Sequence, residues 1–303
     1  MDNDDGFLQS RNAARAAIGQ ICSTADIAHN LSQCQTLVQK AAEAGAQALF
    51  LPEASDYIAT SAGQSLSLVQ AATTSPFVQG LQSSAREHAL PIHVGIHEPA
   101  TRGAKVANTL LWISSTGDVA QRYQKLHLFD VSIANGPVLQ ESASVEPGSS
   151  LLPPFETPVG NVGALICFDL RFPEPSLALR RQGAQILTYP SAFTVPTGRA
   201  HWEPLLRARA IETQSYVVAA AQCGRHNEQR VSYGHSMIID PWGRILAELG
   251  GVDEDGMVEG KGAGGVEGAS EPLIAVAEID LGYLEKVRRE MPLLRRTDVY
   301  PEV

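Results

Sequence analysis

The chain has 303 residues, of which 44% are hydrophobic and 18% are charged. This composition excludes a disordered or fibrous protein, and the length suits two ordinary domains or one large α/β domain. A net charge of -10 makes nucleic acid and anionic membrane surfaces poor partners, and no apolar run approaches the roughly 18 residues of a membrane span.

Cysteine usage and the N-terminal residues indicate a reducing compartment. Cys22, Cys34, Cys167 and Cys223 form no C-x-x-C pair, and no early apolar stretch resembles a signal peptide. Three aspartates within residues 1–6 argue against a mitochondrial transit peptide, because such peptides are basic and poor in acidic residues. We therefore expect free thiols in a cytoplasmic protein, and a mitochondrial form made from an alternative start is left open.

The first half of the chain alternates apolar runs, which predict strands, with amphipathic segments, which predict helices. Residues 1–14 are polar and predict a disordered tail. The elements that follow in chain order are a strand over 16–21, a helix over 26–44, a strand over 46–51, a helix over 76–89, strands over 91–96, 108–113 and 119–126, and a long loop over 135–158. Gly45 is expected to end the first helix.

The second half repeats this alternation. Its elements in chain order are a strand over 161–166, a helix over 173–182, a strand over 186–189, a helix over 200–213, a strand over 216–221, a hairpin over 235–240 and 244–249, a strand over 274–279 and a helix over 281–290. Residues 250–272 are rich in Gly, Asp and Glu and predict a mobile insertion without chemistry. The pattern predicts one α/β domain over residues 15–303.

Three polar residues stand at the ends of predicted strands: Glu53, Lys125 and Cys167. Ligands of α/β sheets lie beyond the carboxyl ends of the strands, so these residues could share a site. A nearby lysine favours the thiolate of a cysteine, and a nearby glutamate can accept the thiol proton, which together suit acyl transfer. Taken singly, each residue also fits a structural role as a core thiol, a helix cap or a surface lysine.

The residues around these three positions resemble the signatures of the nitrilase-like carbon-nitrogen hydrolase superfamily, in that family's order. They are Leu-Pro-Glu at 51–53, Tyr-Gln-Lys-Leu-His-Leu-Phe-Asp at 123–130 and Ile-Cys-Phe-Asp-Leu-Arg-Phe-Pro-Glu at 166–174. The resemblance extends over about residues 15–300 of the chain. It implies a four-layer αββα sandwich that is usually assembled into homodimers.

The resemblance also implies a role for each residue. Cys167 would attack an amide carbonyl, and Glu53 would serve as general base and then as acid to the leaving amine. Lys125 and the backbone N–H of Phe168 would hold the oxyanion, and the intermediate would be a thioester. Glu141 matches a second glutamate that orients the substrate and the lysine, although a loop glutamate is otherwise simply solvated. Neither a metal nor a cofactor is implied.

Residues that follow the nucleophile resemble the branch of the superfamily that acts on small dicarboxylates. This branch includes hydrolysis of deaminated glutathione, at the amide between an α-ketoglutaryl group and Cys-Gly. Arg171 resembles a carboxylate-binding arginine, with an ion pair to Glu174 as its alternative role. Phe193, Thr194 and Thr197 match the pocket for the keto acid. The expected partner is therefore a small anionic amide.

Other interpretations stay open at this stage. α-Ketoglutaramate, the ω-amidase substrate, would use the same catalytic residues, and nitrile hydrolysis fits the surroundings less well. An inactive scaffold would be expected to lack one of the catalytic residues. Arg207 and Arg209 predict ion pairs on a helix that carries Glu212, and Arg225 could meet the Cys-Gly half of the substrate.

His93 and His97 have the spacing of a helical zinc site, but they lie on a predicted strand. Four residues of strand span about 13 Å, so the two rings could not share one metal. The cysteines other than Cys167 lack partners at ligand spacing. The sequence predicts no metal.

Overall fold

Two β-sheets stacked face to face form the centre of the molecule, a computed structural model that describes residues 13–132, 138–258 and 271–301. The predicted N-terminal tail lies outside the described residues up to position 12, and Ala14 already begins the first strand. None of the helices in these three ranges is both long enough and apolar enough to cross a membrane.

The described residues form sixteen strands and six α-helices. The strands are β1 (Ala14–Gln20), β2 (Ala48–Phe50), β3 (Ile92–Pro99), β4 (Val106–Ile113), β5 (Val119–Gln124), β6 (Asp130–Ser132), β7 (Val138–Gln140), β8 (Val145–Glu146), β9 (Val162–Ala164), β10 (Ile186–Thr188), β11 (Tyr216–Ala219), β12 (Cys223–Asn227), β13 (Arg230–Tyr233), β14 (Met237–Ile239), β15 (Ile245–Glu248) and β16 (Leu273–Ile279). The helices are α1 (Ile27–Glu43), α2 (Ala62–Leu68), α3 (Pro76–His88), α4 (Pro173–Arg181), α5 (Val195–Thr213) and α6 (Leu281–Glu290).

The first sheet has the strand order β16-β1-β2-β3-β4-β5, with β8 beside β4. Strands β1, β2 and β3 run parallel, and β4 is antiparallel to β3 and β5. The second sheet has the order β15-β14-β11-β10-β9, in which β9, β10 and β11 are parallel. The parallel strands β2 and β9 end next to Glu53 and Cys167, so the fold turns both residues toward the carboxyl edges of their sheets.

Helices cover the outer face of each sheet. Asp26 caps the N-terminus of α1, since its carboxylate accepts the N–H groups of Ala28 and His29. The buried stripe of α1 packs with α3 on the first sheet. Helices α4 and α5 pack on the second sheet. The layers are therefore helix, sheet, sheet and helix, and the predicted αββα sandwich is confirmed.

Aromatic residues fill the space between the sheets. The ring of Trp112 lies 6.2 Å from that of Phe50 and 5.6 Å from that of Phe155. His93 is buried here and its Nε2 lies 3.1 Å from Thr188 Oγ1 on the opposite sheet. Because His97 instead contacts Asp56, the two histidines have separate surroundings. No group of three or more His, Cys, Asp or Glu within the described ranges is placed to hold a metal ion.

Several short or polar elements differ from the sequence prediction. Helix α2 was not predicted because none of its residues is buried, so it lacks an apolar stripe. Strands β7 and β8 have three and two residues and fall within the predicted loop over 135–158. The polar hairpin of β12 and β13 was also missed, and α5 begins at Val195, five residues before the predicted start at 200.

The predicted insertion over 250–272 is only partly described, since residues 259–270 lie outside the described ranges. Its first part makes defined contacts: Gly251 pairs with Gly234, Val252 pairs with Val258, and Val252 is fully buried. The mobility of this insertion stays a prediction.

Candidate active site

The structure brings Glu53, Lys125, Glu141 and Cys167 together at one end of the sandwich. Glu53 follows β2, Lys125 follows β5, and Cys167 follows β9 by way of two residues. Their exposed fractions are 4%, 2% and 9%. Glu141 begins a short 3-10 turn after β7. The sequence placed three of these residues at strand ends, and the stacking of the two sheets is what joins Cys167 to the others.

Lys125 is the centre of the cluster. Its ammonium Nζ lies 2.9 Å from Glu53 Oε1 and 3.0 Å from Glu141 Oε2. Lys125 Nζ donates three hydrogen bonds, one to Glu53 and two to Glu141, of which the contact to Glu141 Oε1 is the longest at 3.2 Å. Glu141 is itself held because it accepts the backbone N–H of Phe129 at 2.6 Å.

Glu53 is oriented by donors from both sheets. Asn108 Nδ2 lies 2.7 Å from Glu53 Oε1, and the backbone N–H of Ala192 donates to Oε2 at 3.0 Å. The Cys167 thiol donates a further hydrogen bond to this carboxylate. Asn108 is a residue that sequence reasoning missed. A buried amide in the otherwise apolar strand β4 was the signal that could have found it.

Burial raises the pKa of the Cys167 thiol well above its ordinary value. The Glu53 carboxylate raises this pKa further, and Lys125 and the Ala192 N–H only partly oppose the two effects. Lys125 does favour the thiolate, as the sequence predicts, but its effect on this pKa is smaller than the combined effect of burial and Glu53. Lys125 already neutralises two carboxylates, so the resting form of Cys167 is the thiol.

Glu53 and Lys125 stabilise each other's charged forms. Burial alone would raise the pKa of Glu53, but Lys125 and the hydrogen bonds from Cys167 and Asn108 outweigh burial and lower it. Burial alone would lower the pKa of Lys125, but Glu141 and Glu53 raise it well above its ordinary value. At neutral pH the site therefore holds a carboxylate base beside a neutral thiol, with an ammonium next to both.

The backbone at Cys167 makes a tight turn after β9. Its φ is +46°, a left-handed conformation that costs a non-glycine residue about 1–3 kcal/mol. The turn continues as a 3-10 helix over Cys167–Arg171. The N–H of Phe168 stands in the first turn of this helix, where backbone donors have no partner within the helix.

Asp169 fixes this turn relative to the lysine strand. Its fully buried carboxylate accepts the Tyr123 hydroxyl at 2.7 Å and the backbone N–H of Ile166 at 3.0 Å. It also accepts the His127 backbone N–H at 3.0 Å and lies 2.7 Å from His127 Nδ1. Sequence reasoning gave Asp169 no role, although the residue lies inside the motif that carries Cys167.

A cavity of about 770 Å³ opens above the cluster and is lined by all four residues. Of the predicted substrate-binding residues, Thr194 lines it, whereas Arg171, Phe193 and Thr197 are not part of its lining. Arg171 Nη2 lies 3.0 Å from His201 Nδ1, and its guanidinium lies 5.7 Å from the Phe193 ring centre. Thr197 Oγ1 lies 2.8 Å from Thr194 Oγ1. Their roles as substrate ligands stay predictions.

The predicted ion pairs of α5 are present. Arg209 Nη1 lies 2.6 Å from Glu212 Oε1, and Arg207 Nη1 lies 3.2 Å from Glu203 Oε1. Arg225, in contrast, lies on β12 and lines the cavity.

An αββα sandwich with a cysteine, a glutamate and a lysine at this edge defines a nitrilase-like hydrolase. The model of the family described as "Carbon-nitrogen hydrolase" matches residues 15–289. The chain belongs to this family and is a hydrolase that acts on amide C–N bonds.

Individual proteins are similar over nearly the whole chain. A protein of Schizosaccharomyces pombe described as "Probable hydrolase nit2" is 44% identical, over 95% of this chain and 99% of its own length. The deaminated glutathione amidase of Homo sapiens is 45% identical, over 94% of this chain and 83% of its own length. The crystal structure of the Caenorhabditis elegans NitFhit protein is 40% identical with a TM-score of 0.84. The match covers 95% of this chain but 66% of the NitFhit chain, just under two thirds.

Proposed function

We propose that this chain hydrolyses deaminated glutathione to α-ketoglutarate and Cys-Gly through a thioester on Cys167. The observation that carries the proposal is the buried cluster of Cys167, Glu53 and Lys125 beneath an open cavity. A neutral thiol that donates to an ionised carboxylate is arranged for general base catalysis, in which the proton leaves as the sulfur attacks.

Acylation begins when Sγ of Cys167 attacks the amide carbonyl and Glu53 accepts the thiol proton. The oxyanion accepts hydrogen bonds from the N–H of Phe168 and from Lys125 Nζ, which gives up its longest contact to Glu141, at 3.2 Å. Glu53 then gives its proton to the amide nitrogen, the C–N bond breaks, and Cys-Gly leaves. The α-ketoglutaryl group remains on Cys167 as a thioester.

Deacylation repeats the same proton transfers with water. Glu53 takes a proton from the water that attacks the thioester, and the second tetrahedral intermediate uses the same oxyanion donors. When the C–S bond breaks, Glu53 returns its proton to the leaving sulfur, which regenerates the thiol. Glu141 keeps Lys125 in place throughout because its Oε2 contacts the ammonium at 3.0 Å.

The size of the cavity favours deaminated glutathione over α-ketoglutaramate. The two substrates share the same acyl half but release Cys-Gly and ammonia respectively. A cavity of about 770 Å³ lies within the range of about 300–1,000 Å³ that accommodates drug-sized ligands. Bound α-ketoglutaramate, whose leaving group is only ammonia, would leave most of this space filled with water. The human relative's printed name supports the same substrate.

We also propose that the protein is a homodimer and that it is located in the cytoplasm. Large apolar side chains are exposed after α6, where Leu294 is 86% and Val299 is 69% exposed. Exposed apolar segments of this kind are typical of protein interfaces. Light scattering that gives a monomer mass at micromolar concentration would contradict the dimer.

The test is α-ketoglutarate release from deaminated glutathione and from α-ketoglutaramate, with Cys167→Ala and the matched control Cys34→Ala. Cys34 lies on the buried face of α1 and does not line the cavity. We expect preference for deaminated glutathione in the wild type and in Cys34→Ala, and loss of turnover in Cys167→Ala. Preference for α-ketoglutaramate would make the chain an ω-amidase with the same mechanism. Turnover of neither substrate would favour an inactive scaffold.

A further inference from the structure

The cavity wall beside Glu53 carries polar groups that the proposed mechanism does not use. Since Glu53 protonates the leaving amine, that amine and its substituents must lie on the Glu53 side of the cavity. The following inference therefore rests on the proposed function and concerns how the enzyme recognises the leaving half of its substrate.

His97 lies on this wall in a fixed orientation. Asp56 Oδ2 accepts the His97 backbone N–H at 2.8 Å, and Asp56 Oδ1 lies 2.9 Å from the ring Nδ1. The ring also stacks on Tyr57, with ring centres 4.4 Å apart. Strands β3 and β4 pair His97 with Asn108, the residue that donates to Glu53. The imidazole is thus a close neighbour of the catalytic carboxylate.

One ring nitrogen of His97 remains available. Nδ1 faces Asp56, and Nε2 lies at the far edge of the ring without a hydrogen-bond partner in the described part of the chain. His97 is among the residues that line the cavity. A partly buried imidazole held by a carboxylate on one nitrogen presents the other nitrogen in a defined direction, as substrate recognition requires.

The hairpin of β12 and β13 forms the opposite part of this wall. Gln222, which precedes β12, donates to the backbone oxygens of Glu53 and Ala54 at 3.0 and 3.2 Å. The start of the hairpin is therefore held against the backbone that carries Glu53. Arg225 and Arg230 of the hairpin both line the cavity. Arg225 Nη2 donates to the Asp255 backbone oxygen at 2.8 Å, which leaves its other donors for a ligand.

The two arginines differ from Lys125 in their charge balance. Lys125 is paired with two carboxylates, whereas neither Arg225 nor Arg230 forms an ion pair with a carboxylate in the described ranges. Glu228 and Glu254 also line this part of the cavity and offset the arginines at a distance. Because these glutamates weaken the long-range attraction of an anion to the arginines, an anion must be recognised by direct contact. A planar guanidinium makes such contact with a carboxylate through two parallel hydrogen bonds.

We propose that His97, Arg225 and Arg230 form a leaving-group subsite that recognises an amine bearing a carboxylate. Arg225 and Arg230 bind the carboxylate, and His97 Nε2 hydrogen-bonds the peptide group between that carboxylate and the scissile amide. Asp56 is a positioning residue that fixes the His97 ring. The terminal carboxylate of Cys-Gly fits this subsite, and ammonia makes none of these contacts.

The arginines are tested with two substrates that differ only at the carboxylate: α-ketoglutaryl-Cys-Gly and its C-terminal glycinamide. We expect the wild type to prefer the free carboxylate in kcat/KM by on the order of 10-fold or more, the effect of a charge-assisted hydrogen bond. Arg225→Ala/Arg230→Ala should remove this preference. Arg86→Ala/Arg289→Ala, which removes two exposed arginines elsewhere, should keep it. Equal kcat/KM values in the wild type, or an unchanged preference in Arg225→Ala/Arg230→Ala, would overturn the subsite.

His97 is tested by comparing deaminated glutathione with α-ketoglutaramate. His97→Phe keeps a ring for Tyr57 but has no Nε2, and His97→Asn keeps a polar group near Asp56 but is too short to reach the ligand. In both variants we expect kcat/KM for deaminated glutathione to fall by about 10-fold and that for α-ketoglutaramate to stay within about twofold. Asp56→Asn should cause a smaller fall with the same substrate dependence. Equal losses on both substrates in both His97 variants would assign His97 a general structural role and overturn the proposal.

These outcomes separate the subsite from the reaction itself. The subsite alone would be overturned if the wild type hydrolyses deaminated glutathione through Cys167 but the arginine and histidine variants leave the preference between leaving groups unchanged. A wild-type enzyme that does not hydrolyse deaminated glutathione would overturn the proposed function and this inference together.

Discussion

At the scale of single residues, the site depends on how buried charges are balanced. Glu53 keeps its charge although it is buried, because Lys125, Cys167 and Asn108 all donate to it. Cys167 keeps its proton because burial, and then the adjacent Glu53 carboxylate, raise the pKa of its thiol. These two protonation states make Glu53 a base that is ready to accept the thiol proton.

The first prediction concerns the dependence of kcat/KM on pH. Activity requires ionised Glu53, whose pKa is lowered, so the acid limb should fall below the ordinary glutamate pKa of 4.5. Because the Cys167 pKa is raised, no rise near the ordinary thiol pKa of about 8.5 is expected. We expect a flat profile between about pH 5 and pH 9. A tenfold rise across about pH 8.5 would instead indicate a resting thiol that must ionise before attack.

The second prediction concerns Glu141. Glu141→Gln removes a carboxylate that lies 3.0 Å from Lys125 Nζ, so the oxyanion donor should be less well placed. We expect kcat to fall by about 10-fold to 100-fold with little change in KM, as for other residues that orient catalytic groups. Glu146→Gln, a few residues along the chain and outside the cavity lining, should leave kcat unchanged. An unaltered kcat in Glu141→Gln would show that Glu53 alone positions the lysine.

At the scale of elements, the carboxylate of Asp169 connects the turn that carries Cys167, after β9, to the end of β5. Asp169 accepts hydrogen bonds from Tyr123 on β5 and from Ile166 at the entry to the turn. The position of Cys167 relative to Lys125 is therefore set by a buried polar network as well as by apolar packing.

The third prediction tests this network by its stability. Asp169→Asn leaves several buried donors without a charged acceptor, and we expect it to lower the free energy of unfolding by about 2–4 kcal/mol. Tyr123→Phe removes a single hydrogen bond and should cost about 1 kcal/mol. Asp118→Asn, at an exposed turn, should change stability by less than about 0.5 kcal/mol in the same denaturant titration. Equal effects of Asp169→Asn and Asp118→Asn would rule out a structural role for the network.

The sequence predicted elements well where they carry an apolar pattern. Helix α1 buries residues at spacings of three and four, and strands β3 and β4 are almost continuously buried runs, so both kinds of pattern are visible in the sequence. Helix α2 buries none of its residues, and β12 buries Cys223, Gly224 and His226, which form no apolar pattern. Glu53, Lys125 and Cys167 could be found because each lies in a recognisable motif. Asn108 stands outside these motifs and is signalled only by being an amide in strand β4, and the proximity of His97 to Asn108 comes from pairing between β3 and β4.

At the scale of the whole molecule, the site combines both sheets of the sandwich. Glu53 and Lys125 follow strands of the first sheet, and Cys167 follows a strand of the second. The aromatic layer between the sheets therefore sets the distance between Glu53 and Cys167. An error of about 1 Å in such a distance can cost a factor of about 100 in rate.

The fourth prediction concerns this aromatic layer. Phe50→Ala removes a buried ring between the sheets, and we expect the free energy of unfolding to fall by about 3–5 kcal/mol. Activity should be lost in the same thermal transition as the fold, because the site exists only when the sheets are stacked. Leu66→Ala, on the exposed face of α2, should have little effect on either measurement. Activity that outlasts the unfolding of the sandwich would contradict this view of the site.

The most direct test of the central claim is to trap the thioester. Wild-type enzyme mixed with deaminated glutathione and quenched in acid within one turnover should be digested and examined by mass spectrometry. We predict one α-ketoglutaryl group on the peptide that contains Cys167, absent from Cys167→Ala and lost when the quench is delayed until the substrate is consumed. Turnover of deaminated glutathione that Cys167→Ala retains, or an acyl group on any other residue, would contradict the account.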